Sequence, residues 1–236
     1  MLVSLSEIET TICKAALGIG LPLGLGEDAG LAARHMSSLG IGKLDGFENA
    51  LHAVKSKLSA GFKIDNLCAW NFTSKEDDLL LSSIIAGSSA CDFATSIAIE
   101  EKKRGTITLS RVDVPSVVLF EALVTTVDEP QGLHISWYTQ NNKLIEAFCW
   151  NGSLSLVKGV LVDLFLDSPT DVTIKPITRK PVTGNLYFTP CTQHKIMDID
   201  KSSWRRIKSY ADQLLVGATE ESRLSGAGSG IVIEND

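Results

Sequence analysis

Near the start of the chain Leu5, Ile8, Ile12, Ala15 and Ala16 recur at steps of three and four residues, the period of one apolar helix face. Ser4 with Glu7, or Ser6 with Glu9, has the spacing of a capping box at that helix's start. Gly18-Ile19-Gly20-Leu21-Pro22 predicts its end, because Gly and Pro both disfavour continuation. A second helix is expected from Glu27 to Leu39, with Glu27 and Asp28 at its positive N-terminal end. A third carries Leu44, Phe47, Ala50, Leu51, Val54 and Leu58 inward and ends near Gly61.

Further along the period changes. Leu79 to Ile85 is too short an apolar run to assign as strand or helix. Ser89 and Asp92 have capping-box spacing for a helix reaching Ile99. Thr106 to Val112 alternates as a half-buried strand does, and Val117 to Val127 is apolar with no clear period. His134–Tyr138 and Lys143–Phe148 flank Asn141-Asn142, a hairpin signal because Asn tolerates left-handed backbone angles. Leu154–Val157 and Val172–Ile177 add strands, while Pro169, Pro176 and Pro181 suggest edges and loops. Lys201 to Val216 reads as a last helix with Trp204, Ile207, Ala211, Leu214 and Leu215 inward.

The pattern predicts an α+β fold. A helical N-terminal lobe (1–60) packs on a mixed, largely antiparallel sheet in an α/β body (61–216). A C-terminal helix and an irregular Gly- and Ser-rich segment (217–236) follow, and all three fit within one domain.

Composition narrows the function. Of 236 residues 44% are hydrophobic, enough for a sizeable core, and no uncharged stretch reaches the roughly 18 residues of a membrane span. A net charge of −6 disfavours nucleic acid and anionic membranes as partners. Cys13, Cys68, Cys91, Cys149 and Cys191 are odd in number and widely spaced, unlike a disulfide framework or a metal pair. Glu7 and Glu9 stand where a signal peptide would carry basic residues, so a reducing cytoplasm is the expected compartment. Asn71-Phe72-Thr73 and Asn151-Gly152-Ser153 match only the glycosylation pattern, without meaning in that compartment.

Familiar chemistries are then tested one by one. Gly24-x-Gly26-x-x-x-Gly30 lacks a preceding strand, and Glu27 and Asp28 would repel a phosphate; a glycine-rich helix connection is expected instead. Gly226-Ala227-Gly228-Ser229-Gly230 could form an anion-binding nest, though it lacks a P-loop ending. His35, His52, His134 and His194 show no metal-ligand spacing, so no metal site is assigned and the default for each is structural. Cys91 is the best thiol candidate at a helix start, but Asp92 beside it disfavours the thiolate and serves more economically as a cap. Thr219-Glu220-Glu221-Ser222-Arg223 is the densest polar constellation near the C-terminus: Arg223 could hold a carboxylate or phosphate and Glu220 could act as base. The bland reading of that segment is a solvated turn. The basic last helix, with Lys201, Arg205 and Lys208 on one side, does not overturn the acidic balance of the chain.

Three stretches carry a resemblance: Gly20-Leu21-Pro22-Leu23-Gly24-Leu25-Gly26-Glu27-Asp28-Ala29-Gly30, then Ala86-Gly87-Ser88-Ser89-Ala90-Cys91-Asp92, then Ala218 to Gly228. In these the chain resembles a bacterial family, domain of unknown function 3726. The resemblance implies no cofactor or activity, but it raises the standing of Glu27, Asp92, Glu220 and Arg223.

The expectation is therefore a protein that binds a small anionic metabolite or performs cofactor-free acid–base chemistry on it. Glu220 and Asp92 are the candidate catalytic residues, and Arg223, Glu27, Gly226 and Gly228 the candidate ligand-binding residues. The alternative is a non-catalytic assembly module, with a homodimer surface on the N-terminal lobe.

Overall fold

The computed structural model describes residues 1–39, 44–65, 70–100, 105–127, 129–165, 168–180, 186–188 and 196–214, with backbone alone at 98–100 and 186–188. The architecture is α+β, as the periodicity predicts. Helix α1 (Leu5–Gly18) starts on Ser4, whose Oγ accepts from the Glu7 amide at 3.1 Å, and buries Leu5, Ile8, Ile12, Ala15 and Ala16. Helix α2 (Leu23–Ser38) begins four residues before the expected Glu27, directly after Pro22. Glu27 and Asp28 therefore lie in its second turn and not at its N-terminus.

The early start has a packing reason. A Cβ at Gly30 would stand 2.7 Å from the Glu9 carbonyl oxygen, and one at Gly26 would stand 3.2 Å from that of Cys13. The glycine pattern is thus a small-residue seam where α2 crosses α1, within a helix and not between helices. Arg34 on α2 closes the crossing by donating to Glu9 at 2.6 Å. Helix α3 (Asp45–Lys55) follows, shorter than expected, with Phe47, Ala50 and Leu51 buried.

The sheet begins with β2 (Ser59–Ala60), β3 (Phe62–Asp65), β4 (Trp70–Ser74) and β5 (Leu80–Leu81). Helix α4 (Ser83–Glu100) starts well before the expected Ser89. Its cap is Ser82, whose Oγ faces the Ile85 amide at 3.4 Å, so Asp92 is mid-helix and caps nothing. The buried Asp113 carboxylate reinforces this start, accepting from the Ser83 and Val114 amides at 2.8 and 2.7 Å.

After β6 (Ile107–Val112), the apolar run without a period is helix α5 (Pro115–Thr125). Every residue from Pro115 to Leu123 is buried, and a helix covered on all sides shows no amphipathic stripe. Strands β7 (Gly132–Tyr138), β8 (Leu144–Trp150), β9 (Ser153–Lys158) and β10 (Thr170–Ile177) complete the centre, and β11 (Leu186–Phe188) pairs outside β9. Among the described residues the sheet has ten strands and runs β11-β9-β8-β7-β10-β6-β4-β3, with β5 and β2 attached beside β6. Only the pairings of β4 and β5 with β6, and of β2 with β5, are parallel among the described residues.

Asn142 makes the β7–β8 turn at φ +57°, as its sequence signal predicts. Asn151-Gly152 makes the β8–β9 turn, both residues at positive φ. That is the two-residue Asn-Gly hairpin, not read as a turn from the sequence. Pro176 sits in β10, a strand paired on both sides, but lies beyond Ile174, the last residue paired with β6.

Two more elements tie the chain together. Strand β1 (Leu2–Ser4) pairs antiparallel with β12 (Ile196–Asp198). Helix α6 (Lys201–Ala211) is capped by Asp200, which accepts from the Ser202 and Ser203 amides at 2.8 and 2.9 Å. It buries Trp204, Ile207 and Tyr210 and ends before the expected Val216, leaving Leu214 exposed in a short 3-10 turn. One continuous apolar core runs from Val3 through the sheet to Tyr210.

Candidate functional site

Helices α4 and α5 cover one face of the sheet. Leu133, Ile135, Ile145, Ala147, Cys149, Leu154, Leu156, Val172 and Ile174 are fully buried there. Because strand side chains alternate, the residues between them emerge on the other face. That places His134 on β7, Glu146 and Phe148 on β8 and Lys175 on β10 together on the face away from α4 and α5. Lys158 on β9 joins them through a β-bulge, which shifts the register so that Lys158 is opposite Glu146 while Leu156 is opposite Ala147.

Register brings them into contact. His134 is opposite Phe148 on one side and Lys175 on the other. Its ring tilts at 35° over that of Phe148, centroids 4.7 Å apart. Glu146 is the diagonal neighbour, its Oε1 2.9 Å from His134 Nε2, and its Oε2 takes an ion pair from Lys158 at 3.2 Å. A cavity of about 310 Å³ opens here, lined by His134, Phe148, Lys175 and Arg179 with Thr106 and Thr178. Lys175 and Arg179 form no ion pair or hydrogen bond among the described residues.

The charges follow from this packing. Burial is the main influence on His134 and lowers its pKa, while Glu146 pulls the other way and Lys175 and Lys158 add to the lowering. Burial is also the largest single influence on Glu146 and raises its carboxyl. The Lys158 hydrogen bond, the neighbouring His134 and the Lys158 charge together outweigh it and hold the carboxyl below its ordinary value. A neutral imidazole beside a carboxylate donates Nε2–H to it, which leaves Nδ1 as a free base. The Glu146 charge is matched by Lys158, so the cavity keeps two uncompensated cations, Lys175 and Arg179.

The residues singled out from sequence fall elsewhere. Glu27 lines a second cavity of about 580 Å³ between α1 and α2, with Glu9, Cys13, Lys14, Asp28 and Leu31. Asp92 stands on the solvent side of α4, where partial burial and then Asp28 raise its carboxyl against a hydrogen bond from Thr125. Glu220, Arg223, Gly226 and Gly228 lie outside the described residues. Cys91 is fully buried with its thiol pushed well up, chiefly by burial and next by Glu121, so it is no activated nucleophile. Among the described residues no three His, Cys, Asp or Glu side chains are grouped to hold a metal ion, and no helix is long and apolar enough to cross a membrane.

His134 and Glu146 were missed as a pair, yet a signal existed. The Asn141-Asn142 turn sets the hairpin register, and that register puts position 146 diagonal to 134 on the face opposite Ile135 and Trp137.

The fold defined by this sheet and its helices is a distant structural match to the malate/sulfolactate dehydrogenase type. Sulfolactate dehydrogenase from Methanocaldococcus jannaschii matches with a TM-score of 0.58 at 10% identity, covering 91% of this chain and 97% of that one. An E. coli protein assigned as a malate/lactate dehydrogenase matches with a TM-score of 0.50 at 10% identity, covering 94% and 97%. At such identity the likeness is one of fold. No curated protein matches the sequence. Residues 3–90 match the model of the family described as Protein of unknown function (DUF3726). The glycine-rich stretch at 20–30 lies inside that span, and Ala218 to Gly228 lies beyond it.

Proposed function

We propose that this chain binds a small anionic metabolite in the His134 cavity and moves a proton to or from it. The observation that carries the reading is the pair of uncompensated cations, Lys175 and Arg179, beside a histidine–carboxylate pair. In this reading Arg179 and Lys175 hold the anionic groups, Phe148 walls the site, and His134 is the acid–base. Glu146 fixes the imidazole tautomer, as an orienting carboxylate does in hydrolytic triads. The volume lies at the lower end of the range for ligand pockets, which favours a small molecule. The matched dehydrogenases are named for sulfolactate and for malate or lactate, small hydroxy-acid anions, and two unpaired cations suit that class.

Calorimetric titration with a panel of hydroxy and dicarboxylic acids tests the proposal. A member of the panel binds wild type, and Lys175→Met and Arg179→Met each weaken it by about tenfold or more. His134→Asn retains binding and loses the proton exchanged with buffer on binding. Lys175 and Arg179 are exposed, so folding is not at stake. Absence of binding across the panel, or binding indifferent to both substitutions, overturns the assignment.

A further inference from the structure

The helix layer on the other face of the sheet holds a second unusual group. Glu121 on α5 is 1% exposed, and its Oε1 has no hydrogen-bond partner. Its Cγ packs where a Cβ on Gly87 of α4 would lie, at 3.5 Å. Two further carboxyls act on it: Asp28 from α2, which accepts from Ser88 of α4 at 2.7 Å, and Asp92 from α4, which accepts from Thr125 of α5 at 3.4 Å. The Cys91 thiol of α4 is also within its field. The other elements packed on α5, namely α3, β7, β8 and β10, bring no charged group that acts on Glu121. Three carboxyls from three helices therefore converge, with one of them buried and, among the described residues, unpartnered and without a facing cation.

We infer that the junction of α2, α4 and α5 is a proton-operated latch, in which α5 stays seated while Glu121 carries its proton and loosens when that proton leaves. Burial pushes the Glu121 carboxyl well above its ordinary range, and Asp28 and then Asp92 push it further. Once ionised, Glu121 is a buried charge repelled by two neighbours, and relief requires α5 to move outward or water to enter. The helix most affected is the one beneath β7, β8 and β10. This inference does not depend on the reading of the His134 cavity.

Urea unfolding of wild type and Glu121→Gln between pH 5 and pH 9, with hydrogen exchange of the α5 amides, tests the latch. A group whose folded pKa is raised contributes stability at low pH that is lost as pH climbs to the folded pKa. The wild-type unfolding constant therefore rises relative to that of Glu121→Gln by about tenfold per pH unit above the ordinary carboxyl range, then levels off. The α5 amides lose protection over the same interval in wild type alone. Parallel profiles for the two proteins overturn the inference. Asp92→Asn, on the solvent side, removes one like charge and brings the levelling-off to lower pH. An unchanged position would show that Asp92 does not act on Glu121 and would overturn the three-carboxyl latch.

Discussion

Arg206 meets Glu48 through two parallel hydrogen bonds, Nε to Oε1 at 2.7 Å and a terminal nitrogen to Oε2 at 3.0 Å, so α6 is clamped to α3 across 158 positions of sequence. The Glu48 side chain is only 7% exposed, whereas that of Arg206 is half in solvent. The asymmetry decides what each substitution does. Arg206→Met strands a buried carboxylate and costs about 1–3 kcal/mol, read as a lower urea midpoint. Replacing both partners, as in Glu48→Gln with Arg206→Met, recovers part of that loss. A double variant weaker than the sum of the singles would contradict this account.

The glycines of α2 differ in what surrounds them, and alanine substitution should separate them. Gly30→Ala drives a Cβ against the Glu9 carbonyl oxygen and forces α1 and α2 apart. It lowers stability by about 1–3 kcal/mol, as overpacking does. At Gly24 an added Cβ meets nothing within 4 Å. Gly24→Ala is neutral or stabilises by up to about 1 kcal/mol through helix propensity. Thermal melts of the two variants should move in opposite directions or, at the least, differ clearly.

His134 offers a titration with a defined sign. Its folded pKa is lowered, so its contribution to stability is complete above the ordinary histidine value and is lost as pH falls toward the folded value. Glu146 opposes that lowering. Glu146→Gln therefore moves the His134 titration to still lower pH, measured by NMR on the imidazole carbon-bound protons. A shift to higher pH would show that Glu146 does not act on the ring as the geometry requires.

Asp113 accepts from two amides at the start of α4 while 6% exposed. Asp113→Ala leaves both amides buried and unpaired and costs about 2–4 kcal/mol, while Asp113→Asn keeps an acceptor oxygen and costs less. Burial raises the Asp113 carboxyl against its hydrogen bonds. Wild-type stability accordingly declines with rising pH relative to Asp113→Asn, from the ordinary carboxyl range up to the folded value. Equal urea midpoints for the Ala and Asn variants would sink this reading.

What the sequence disclosed depended on whether an element shows two chemically different sides. Helix α1 was legible because Leu5, Ile8 and Ile12 stand against exposed polar neighbours, and the β7–β8 hairpin because Ile135 and Trp137 alternate with His134 and Ser136. Helix α5 was not, since burial on every side erases the period. Asp92 resembled a cap only because spacing alone does not tell a helix start from a helix middle, and α4 begins at Ser83. The β1–β12 pair left no local trace, as three-residue strands almost 200 positions apart have no pattern to share. The acid–base pair was hidden for a related reason: neither His134 nor Glu146 has a neighbour in sequence that marks it, and only the register joins them.

Strand β1 is paired with β12, and Gly18 at the end of α1 lies against the Tyr210 carbonyl of α6. Helix α1 thus has a large part of its final surroundings supplied by α6, a helix that leaves the ribosome long after it. During synthesis the apolar face of α1 must wait, uncovered along that side, until α6 is available. Maturation of this region is therefore tied to the synthesis of α6, and termination before α6 would release a product with an open apolar flank for quality control to recognise.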